Sequence, residues 1–172
     1  MMQMLQPGDA APALIVETVQ GAQWSLDRTA PAALDLIAIY RGAFCPFCKG
    51  FVSQLAARRA ALVERGFMPI AISMDGRDNA ARASQDWNLQ ELTIGYGLTT
   101  EAARRWGTYL TTRPEGEQSV TFCEPAIFLV RPNKKIYAVL VQSLPCGRPD
   151  LDNLVQGLDF LAKQGFPARG TG

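Results

Sequence analysis

The sequence predicts an α/β fold, and three features of its apolar pattern carry that prediction. Residues 34–74 contain an apolar run, a helical stripe and a second apolar run, which is the order of a strand–helix–strand unit with a parallel crossover. Two more apolar runs flank a Pro-Asn turn within residues 126–141, and a last helical stripe covers residues 151–164. The chain has 172 residues, 48% of them hydrophobic, which suits one domain over 1–172 with a full-sized core.

The first half of the chain is predicted to form a hairpin and then the strand–helix–strand unit. Short apolar runs at 13–16 and 24–26 surround a glycine turn. Residues 34–40 form an apolar run that is broken only by Asp35, which indicates a buried strand. One broad apolar stripe predicts a single long helix over 46–65, and the apolar run at 67–74 predicts the parallel strand that follows it.

The second half is predicted to continue with shorter elements. These are a helix over 78–87, a strand over 93–96, a short helix over 100–106, a loop over 108–120, hairpin strands over 126–130 and 136–141, and the C-terminal helix. The loop is inferred from a stretch of Thr, Arg, Pro, Glu and Gly without any period. Pro149 and Asp150 open the last helix.

Charge and composition exclude several classes of function. The chain has 17 basic and 16 acidic residues and no long run of either sign, so neither nucleic acid nor a membrane surface is an expected partner. It contains no histidine, which excludes Ser-His-Asp and Cys-His nucleophiles and His-containing zinc sites. No secretory signal pattern and no 18-residue apolar stretch occur, so we expect a soluble, cytoplasmic protein.

The motif with the clearest chemistry is Cys45-Pro46-Phe47-Cys48, between the buried strand and the long helix. Proline suits the first helical position, which makes Cys45 the N-cap. The free N–H groups and the positive helix end there favour thiolate over thiol, with a pKa of roughly 3.5 to 7.5. Cys48 lies one turn further on the same face, where its thiol can attack a mixed disulfide or sulfenic acid on Cys45. The sequence therefore predicts a redox-active pair.

Two other interpretations of this motif remain open at this point. A four-cysteine zinc site is disfavoured because Cys123 and Cys146 are 23 residues apart rather than a close pair. Inert packing is disfavoured because the motif lies at the carboxyl end of a parallel strand, where open α/β sheets place their sites. No nucleotide-binding glycine loop is present, so we expect neither an organic cofactor nor a metal.

Motifs along nearly the whole chain resemble the alkyl hydroperoxide reductase / thiol-specific antioxidant family, the peroxiredoxin-like proteins of the thioredoxin-like superfamily. The resemblance lies in Gly8-Asp9-x-x-Pro12, Gly21, Ser25-Leu26, Tyr40-Arg41-Gly42-x-x-Cys45-Pro46-x-Cys48, Ser73-Met74-Asp75, Glu124-Pro125-Ala126, Arg148-Pro149-Asp150 and Pro167-Ala168-Arg169-Gly170.

This resemblance implies a thioredoxin-like fold with a central mixed β-sheet, helices on both faces, an N-terminal β-hairpin extension and a helical insert. It implies that Pro125 is a cis-proline that faces the dithiol. The implied activity is that of a thiol-dependent peroxidase, which reduces hydrogen peroxide or organic hydroperoxides through a Cys45–Cys48 dithiol/disulfide cycle. The implied partners are a hydroperoxide, a thioredoxin- or glutathione-type electron donor and, as a candidate assembly, a second copy of the chain.

The chain also departs from the pattern that it resembles. Typical peroxiredoxins place Thr or Ser three residues before the peroxidatic Cys and Pro seven before it, where this chain has Gly42 and Ala38. They place an Arg close to the position of Pro125. The tetrapeptide itself is more similar to the dithiol of glutaredoxins. A thiol-disulfide oxidoreductase acting on protein disulfides and a redox-sensing binding module are therefore kept as alternatives.

Three further residues have two interpretations each. Arg41, four residues before Cys45, either stabilises the thiolate and guides an anionic substrate or is a solvated loop arginine. Cys123 is either an alternative partner for the dithiol or a buried small hydrophobe. Cys146 lies in a turn. It is either an attachment point for another chain or for glutathione, or an ordinary loop thiol.

Overall fold

A computed structural model describes residues 4–172. Its strands are β1 (Ile15–Thr18), β2 (Gln23–Ser25), β3 (Leu34–Ile39), β4 (Phe67–Ile72), β5 (Thr93–Tyr96), β6 (Leu110–Glu115), β7 (Gln118–Cys123), β8 (Ala126–Val130) and β9 (Ile136–Val141). Its α-helices are α1 (Pro46–Ala57), α2 (Arg59–Glu64), α3 (Arg77–Asp86), α4 (Thr100–Arg105) and α5 (Leu151–Lys163), and a short 3₁₀-helix covers Leu26–Arg28.

Seven strands form one mixed sheet in the order β2-β1-β5-β4-β3-β8-β9. Strands β3, β4 and β5 run parallel, and the remaining neighbours are antiparallel. Ile37 in the central strand β3 pairs with Ile70 of β4 on one side and Phe128 of β8 on the other. The predicted α/β class, mixed sheet and N-terminal hairpin are confirmed.

Residues of β3 alternate between two buried clusters because successive side chains of a strand point to opposite faces. Leu36 and Ala38 pack with residues of α1, α2, α3 and α5, whereas Ile37 and Ile39 pack with residues of α4 and the N-terminal hairpin. Every residue of β3 is buried, which agrees with its apolar sequence. Helices thus cover both faces, as the resemblance implies.

The loop predicted over 108–120 is wrong, because β6 and β7 pair there as a separate antiparallel hairpin. The two strands turn through Gly116, whose φ of 61° is accessible to glycine at little cost. Most of the hairpin is exposed, and only Phe122 and Cys123 at its end are buried. It therefore lacks the alternating apolar pattern of a half-buried strand, and Pro114 within β6 is typical of an edge rather than of a central strand.

The single helix predicted over 46–65 is interrupted at Arg58, where α1 ends and α2 begins. Arg58 has φ −96° and ψ 0°, and its N–H points at both Gln54 and Leu55 carbonyls instead of one. Its guanidinium binds both carboxylate oxygens of Asp152 in α5. This long-range contact leaves no mark on the apolar stripe, which continues across the interruption.

Candidate active site

Cys45 is the N-cap of α1, directly after the loop that leaves β3. Its backbone is extended, with φ −96° and ψ 112°, and Pro46 takes the first helical position. The sulfur atom accepts the N–H of Cys48 at 3.4 Å, and the Cys45 N–H donates to the Gly42 carbonyl at 3.2 Å. The sulfur therefore faces the free N–H groups at the positive end of the helix.

This environment stabilises negative charge on Cys45. The hydrogen bond donated by the Cys48 thiol lowers the pKa of Cys45 to about 5. The backbone N–H of Cys48 and the guanidinium of Arg41 act in the same direction, and burial of the sulfur opposes them. Arg41 Nη1 lies 3.7 Å from the Cys45 sulfur. At neutral pH Cys45 is consequently the thiolate of the pair.

Cys48 lies in the first turn of α1 and comes within 3.0 Å of Cys45. Both cysteines are reduced and buried, with 1% and 0% of their surface exposed. The hydrogen bond to Cys45 and burial both raise the pKa of Cys48. The pair is therefore divided into one thiolate and one thiol that keeps its proton.

Arg41 connects the dithiol with the segment around Pro125. Its Nε atom lies 3.1 Å from Oε2 of Glu124, although the two atoms are not aligned for a hydrogen bond. The other carboxylate oxygen of Glu124 accepts the hydroxyl of Thr111 at 2.7 Å. The guanidinium also lies 4.8 Å from the ring centroid of Phe122. These contacts fix Arg41 in the wall of the site, and 19% of its side chain stays exposed.

Gly42 occupies the position at which typical peroxiredoxins carry a hydroxyl residue. Its φ is 145°, a conformation that essentially only glycine adopts. A Cβ atom there would lie 2.8 Å from Oδ1 of Asp75. The Asp75 carboxylate accepts the N–H of Ala43 at 2.8 Å, so it cannot withdraw without losing that bond. The glycine is thus required by the backbone path and by Asp75.

The expectation that Pro125 is a cis-proline is wrong, because residues 4–172 contain no cis peptide bond. Glu124 N donates to the Tyr109 carbonyl, and the Pro125 carbonyl accepts the N–H of Gln142 at 2.9 Å. The chain therefore passes from one hairpin to the next in an extended path, without the tight turn in which cis-prolines occur. Pro125 is buried and lines a small apolar cavity with Phe51 and Arg148.

The two remaining cysteines lie apart from the dithiol. Cys123 is buried in the cluster on the opposite face of the sheet from Cys45 and Cys48, with its sulfur 3.5 Å from the Thr108 hydroxyl. Burial raises the pKa of Cys123 to about 11. This environment favours the buried small hydrophobe among its two interpretations. Cys146 is exposed in the turn after β9.

Arg148 also contacts the dithiol, and the sequence analysis did not identify it as a site residue. Its Nη2 atom lies 2.9 Å from the Cys48 sulfur, 100 positions away in the chain. The guanidinium carbon lies 5.5 Å from the ring centroid of Phe51, and Nη1 donates to the Pro145 carbonyl. The only local signal is that Arg148 precedes the Pro-Asp start of α5.

The surface around the dithiol combines exposed aromatic rings with a cavity. Phe44 and Phe47 are 40% and 54% exposed on either side of Cys45. A cavity of about 380 Å³ lies on the Arg41 side, between the β6–β7 hairpin and α3. Its wall includes Phe44 and Arg113, whose guanidinium lies 4.4 Å from that ring centroid.

Residues 4–172 offer neither a cluster of metal ligands nor a membrane-spanning helix. Within that range no three His, Cys, Asp or Glu side chains are grouped so that they could hold a metal ion. Over the same range no helix has both the length and the hydrophobicity to cross a membrane.

Comparisons with known proteins agree with this fold. The sequence profile of the AhpC/TSA family matches residues 7–139. Among solved structures, the chain is similar to peroxidoxin BcpB from Mycobacterium tuberculosis, with 13% identity, a TM-score of 0.73 and coverage of 91% of this chain and 98% of that one. A peroxiredoxin-like protein from Aquifex aeolicus has 19% identity and a TM-score of 0.74, over 92% of this chain and 89% of that one. A mutant of peroxiredoxin 6 from Arenicola marina has 15% identity and a TM-score of 0.79, over 94% of this chain and 76% of that one. Comparison with curated proteins finds no significant match.

Proposed function

The chain belongs to the AhpC/TSA family, a family of peroxidase-type oxidoreductases, and from this premise we propose that it reduces hydroperoxides by a dithiol cycle between Cys45 and Cys48. Cys45 is the nucleophile and Cys48 the resolving residue. Arg41 stabilises the Cys45 thiolate, and Pro125 supports the site through its contacts in the apolar cavity beside Phe51.

The proposed cycle has two chemical steps within the chain. The Cys45 thiolate attacks the peroxide O–O bond, so that sulfur takes one oxygen as sulfenic acid and the alcohol or water leaves after taking up a proton. The Cys48 sulfur then attacks the Cys45 sulfur, forms the S–S bond and expels the oxygen as hydroxide, which is protonated to water. Cys45 and Cys48 together lose two electrons, which the peroxide gains.

The observation that carries the proposal is the approach of Cys45 and Cys48 to 3.0 Å with opposite shifts of pKa. A thiolate beside a protonated thiol is the arrangement that the cycle needs at its start. The thiolate is the reactive form toward peroxide, and Cys48 already lies beside it for the second step.

A small or protein thiol must return the disulfide to the reduced state, because no second dithiol is present beside the first among the described residues. One donor thiolate attacks one of the two sulfurs, forms a mixed disulfide and frees the other cysteine. A second donor thiol then attacks the donor sulfur of the mixed disulfide, so that the donor leaves as a disulfide and both cysteines are reduced. We propose a thioredoxin- or glutathione-type donor for this role. The cavity beside Arg41 is large enough for a small-molecule ligand.

A second candidate is a thiol-disulfide oxidoreductase that acts on protein disulfides through the same two cysteines. The exposed rings of Phe44 and Phe47 beside Cys45 favour it, since aromatic residues are enriched at protein interfaces. The absence of a hydroxyl at Gly42 favours it as well, because that group polarises peroxide in typical peroxiredoxins.

One experiment separates the two candidates. The reduced protein is supplied with hydrogen peroxide or cumene hydroperoxide in one series and with insulin disulfide in another, with the same dithiol donor in both. The peroxidase proposal predicts multiple turnovers of a hydroperoxide and little reduction of insulin. Turnover of insulin without consumption of either hydroperoxide would replace it with the second candidate.

A further inference from the structure

We propose that Arg148 activates Cys48 for the resolving step, and that it does so only after Cys45 has been oxidised. The inference rests on the proposed function, since it concerns the second step of the same cycle. It assigns one arginine to each sulfur: Arg41 to Cys45 and Arg148 to Cys48.

The contact between Arg148 and Cys48 joins an uncompensated charge to a fully buried sulfur. Within residues 4–172, none of the ion pairs shorter than 4.0 Å includes Arg148. Its guanidinium is held by the Pro145 carbonyl and by the ring of Phe51, neither of which carries charge. The positive charge is therefore available to the Cys48 sulfur at 2.9 Å, where water is excluded and charge interactions are strong.

The groups around Cys48 explain why this charge acts late in the cycle. Cys45 faces it from the start of α1, Tyr40 from the end of β3, and Arg148 from the segment before α5. In the reduced state the Cys45 thiolate accepts a hydrogen bond from the Cys48 thiol and repels a second negative charge, both of which raise the pKa of Cys48. The Arg148 guanidinium lowers the pKa of Cys48, and the backbone N–H of Arg41, 3.4 Å from the Cys48 sulfur, lowers it further, but Cys45 and burial outweigh both.

Oxidation of Cys45 removes the negative charge that holds the Cys48 proton in place. Among the described residues, Arg148 is then the remaining charged side chain in contact with Cys48, so loss of the proton becomes easier when a thiolate is needed. The Cys48 thiolate attacks the Cys45 sulfur, the S–S bond forms and hydroxide leaves. In the reverse direction, Arg148 stabilises Cys48 as the leaving thiolate when a donor thiol attacks Cys45.

The test measures the attack of Cys48 on Cys45 without peroxide. In a Cys146→Ser background, which removes the exposed thiol, 5,5′-dithiobis(2-nitrobenzoate) adds one thionitrobenzoate to Cys45 and releases another. Cys48 then displaces the attached thionitrobenzoate as the thiolate and closes the disulfide, so a second absorbance phase reports its attack. Both phases are recorded by stopped flow from pH 5 to pH 10.

Arg148→Met keeps a long side chain against Phe51 but removes the charge. An opposite charge at this distance shifts a pKa by about 1 to 3 units, so without it less of Cys48 is thiolate near neutral pH. The thiolate that does form is more nucleophilic because its pKa is higher, which offsets part of the loss. The second phase should therefore slow about 3-fold to 50-fold. The pH midpoint of the second phase should rise. The rate of the first phase should stay within about twofold of wild type, because the Cys45 thiolate is stabilised by Arg41 and not by Arg148.

Two further variants provide the controls. Arg148→Lys keeps the charge. Its second phase should regain at least half of the logarithmic loss in rate that Arg148→Met causes. Arg131→Met is the matched control, because Arg131 also stacks on a ring, that of Tyr137 at 4.7 Å, and also donates to a backbone carbonyl, that of Phe166 at 3.0 Å. It should leave both phases unchanged.

An unchanged rate and pH midpoint in the second phase of Arg148→Met would overturn the proposal. The proposal would also be overturned if both phases slowed equally, the pH midpoint did not move and the melting temperature fell. That result is expected of an arginine with a purely structural role. If Arg148→Met does not fold, Arg148→Gln carries the same expectation, and Arg148→Lys must still retain the second phase. Failure of the peroxidase proposal gives a different result: the wild-type protein would perform both phases but would consume no hydroperoxide.

Discussion

The guanidinium of Arg41 lies 3.1 Å from the carboxylate of Glu124 and, through another nitrogen, 3.7 Å from the sulfur of Cys45. One positive charge is thus shared between a carboxylate and a thiolate. Glu124 is 6% exposed, so its charge is only partly screened by water. The carboxylate therefore limits how far Arg41 can stabilise the thiolate.

Replacing Glu124 by Gln should make Cys45 more acidic. Gln keeps an oxygen that can accept the Thr111 hydroxyl, but it removes the charge that competes for Arg41. We expect the pH midpoint of iodoacetamide alkylation at Cys45 to fall by a few tenths of a unit to about one unit. A midpoint that rises would show that Glu124 orients Arg41 toward Cys45 more than it competes for it.

The alkylation rate of Cys45 in the reduced protein should be nearly independent of pH between 7 and 8. The thiolate is the reactive form, and a pKa of about 5 leaves almost all of Cys45 ionised throughout that range. An ordinary thiol, with a pKa near 8.5, would react several times faster at pH 8 than at pH 7. Arg41→Met removes one cause of the lowered pKa, so its curve should move to higher pH. The measurement uses Cys146→Ser protein, and a wild-type rate that climbs steeply from pH 7 to pH 8 would contradict it.

Serine variants of the two cysteines should differ in kind under the proposed cycle. Cys45→Ser should abolish turnover with every substrate, because it removes the nucleophile. Cys48→Ser should allow a single reaction that stops at a dimedone-reactive sulfenic acid or at a mixed disulfide on Cys45. Mass spectrometry after one equivalent of hydrogen peroxide identifies the adduct. Equal residual turnover in both variants is incompatible with the assigned roles.

Gly42→Ala should destabilise the fold, although it adds only one methyl group. The new side chain would require φ 145° and would meet the Asp75 carboxylate at 2.8 Å. The backbone strain alone costs about 1 to 3 kcal/mol. Chemical denaturation measures the loss in free energy of unfolding.

Two glycines provide matched controls for this variant. Gly21 has φ 86° but no heavy atom within 4 Å of an added Cβ, so Gly21→Ala reports the backbone cost without the collision. Gly50 lies in α1 with open space around it, and Gly50→Ala should stabilise by about 0.5 to 1 kcal/mol. Gly42→Ala should lose more stability than Gly21→Ala, and an equal loss would exclude a role for Asp75.

Local sequence determined the parts of the molecule that could be predicted. The apolar run of β3 and the Pro46 signal at the start of α1 are each contained within a few residues, so the strand end and the cysteine cap follow from the sequence. The parallel partner β4 follows in turn, because a helix of that length returns the chain to the sheet.

The missed features depend on contacts between distant residues or on exposed polar segments. Arg148 contacts Cys48 from 100 positions away in the sequence, and Glu124 contacts Arg41 from a comparable separation along the chain. No periodicity records such contacts. The β6–β7 hairpin is held mainly by backbone hydrogen bonds at the surface, so its side chains were free to be polar. The isomer of the Glu124–Pro125 bond depends on the path between two hairpins and not on the dipeptide.

The short approach of Cys48 to Cys45 has a consequence for survival under oxidative stress. A sulfenic acid meets one of two fates, closure by a neighbouring thiol or attack on a second peroxide that yields the irreversible sulfinic acid. Here Cys48 lies in the first turn of the helix that Cys45 caps and comes within 3.0 Å of that residue, so the two cysteines are already neighbours when closure begins. Closure is therefore independent of peroxide concentration, whereas overoxidation is proportional to it. Under the proposed cycle the protein keeps working in bursts of peroxide that would permanently inactivate an enzyme whose second cysteine must travel.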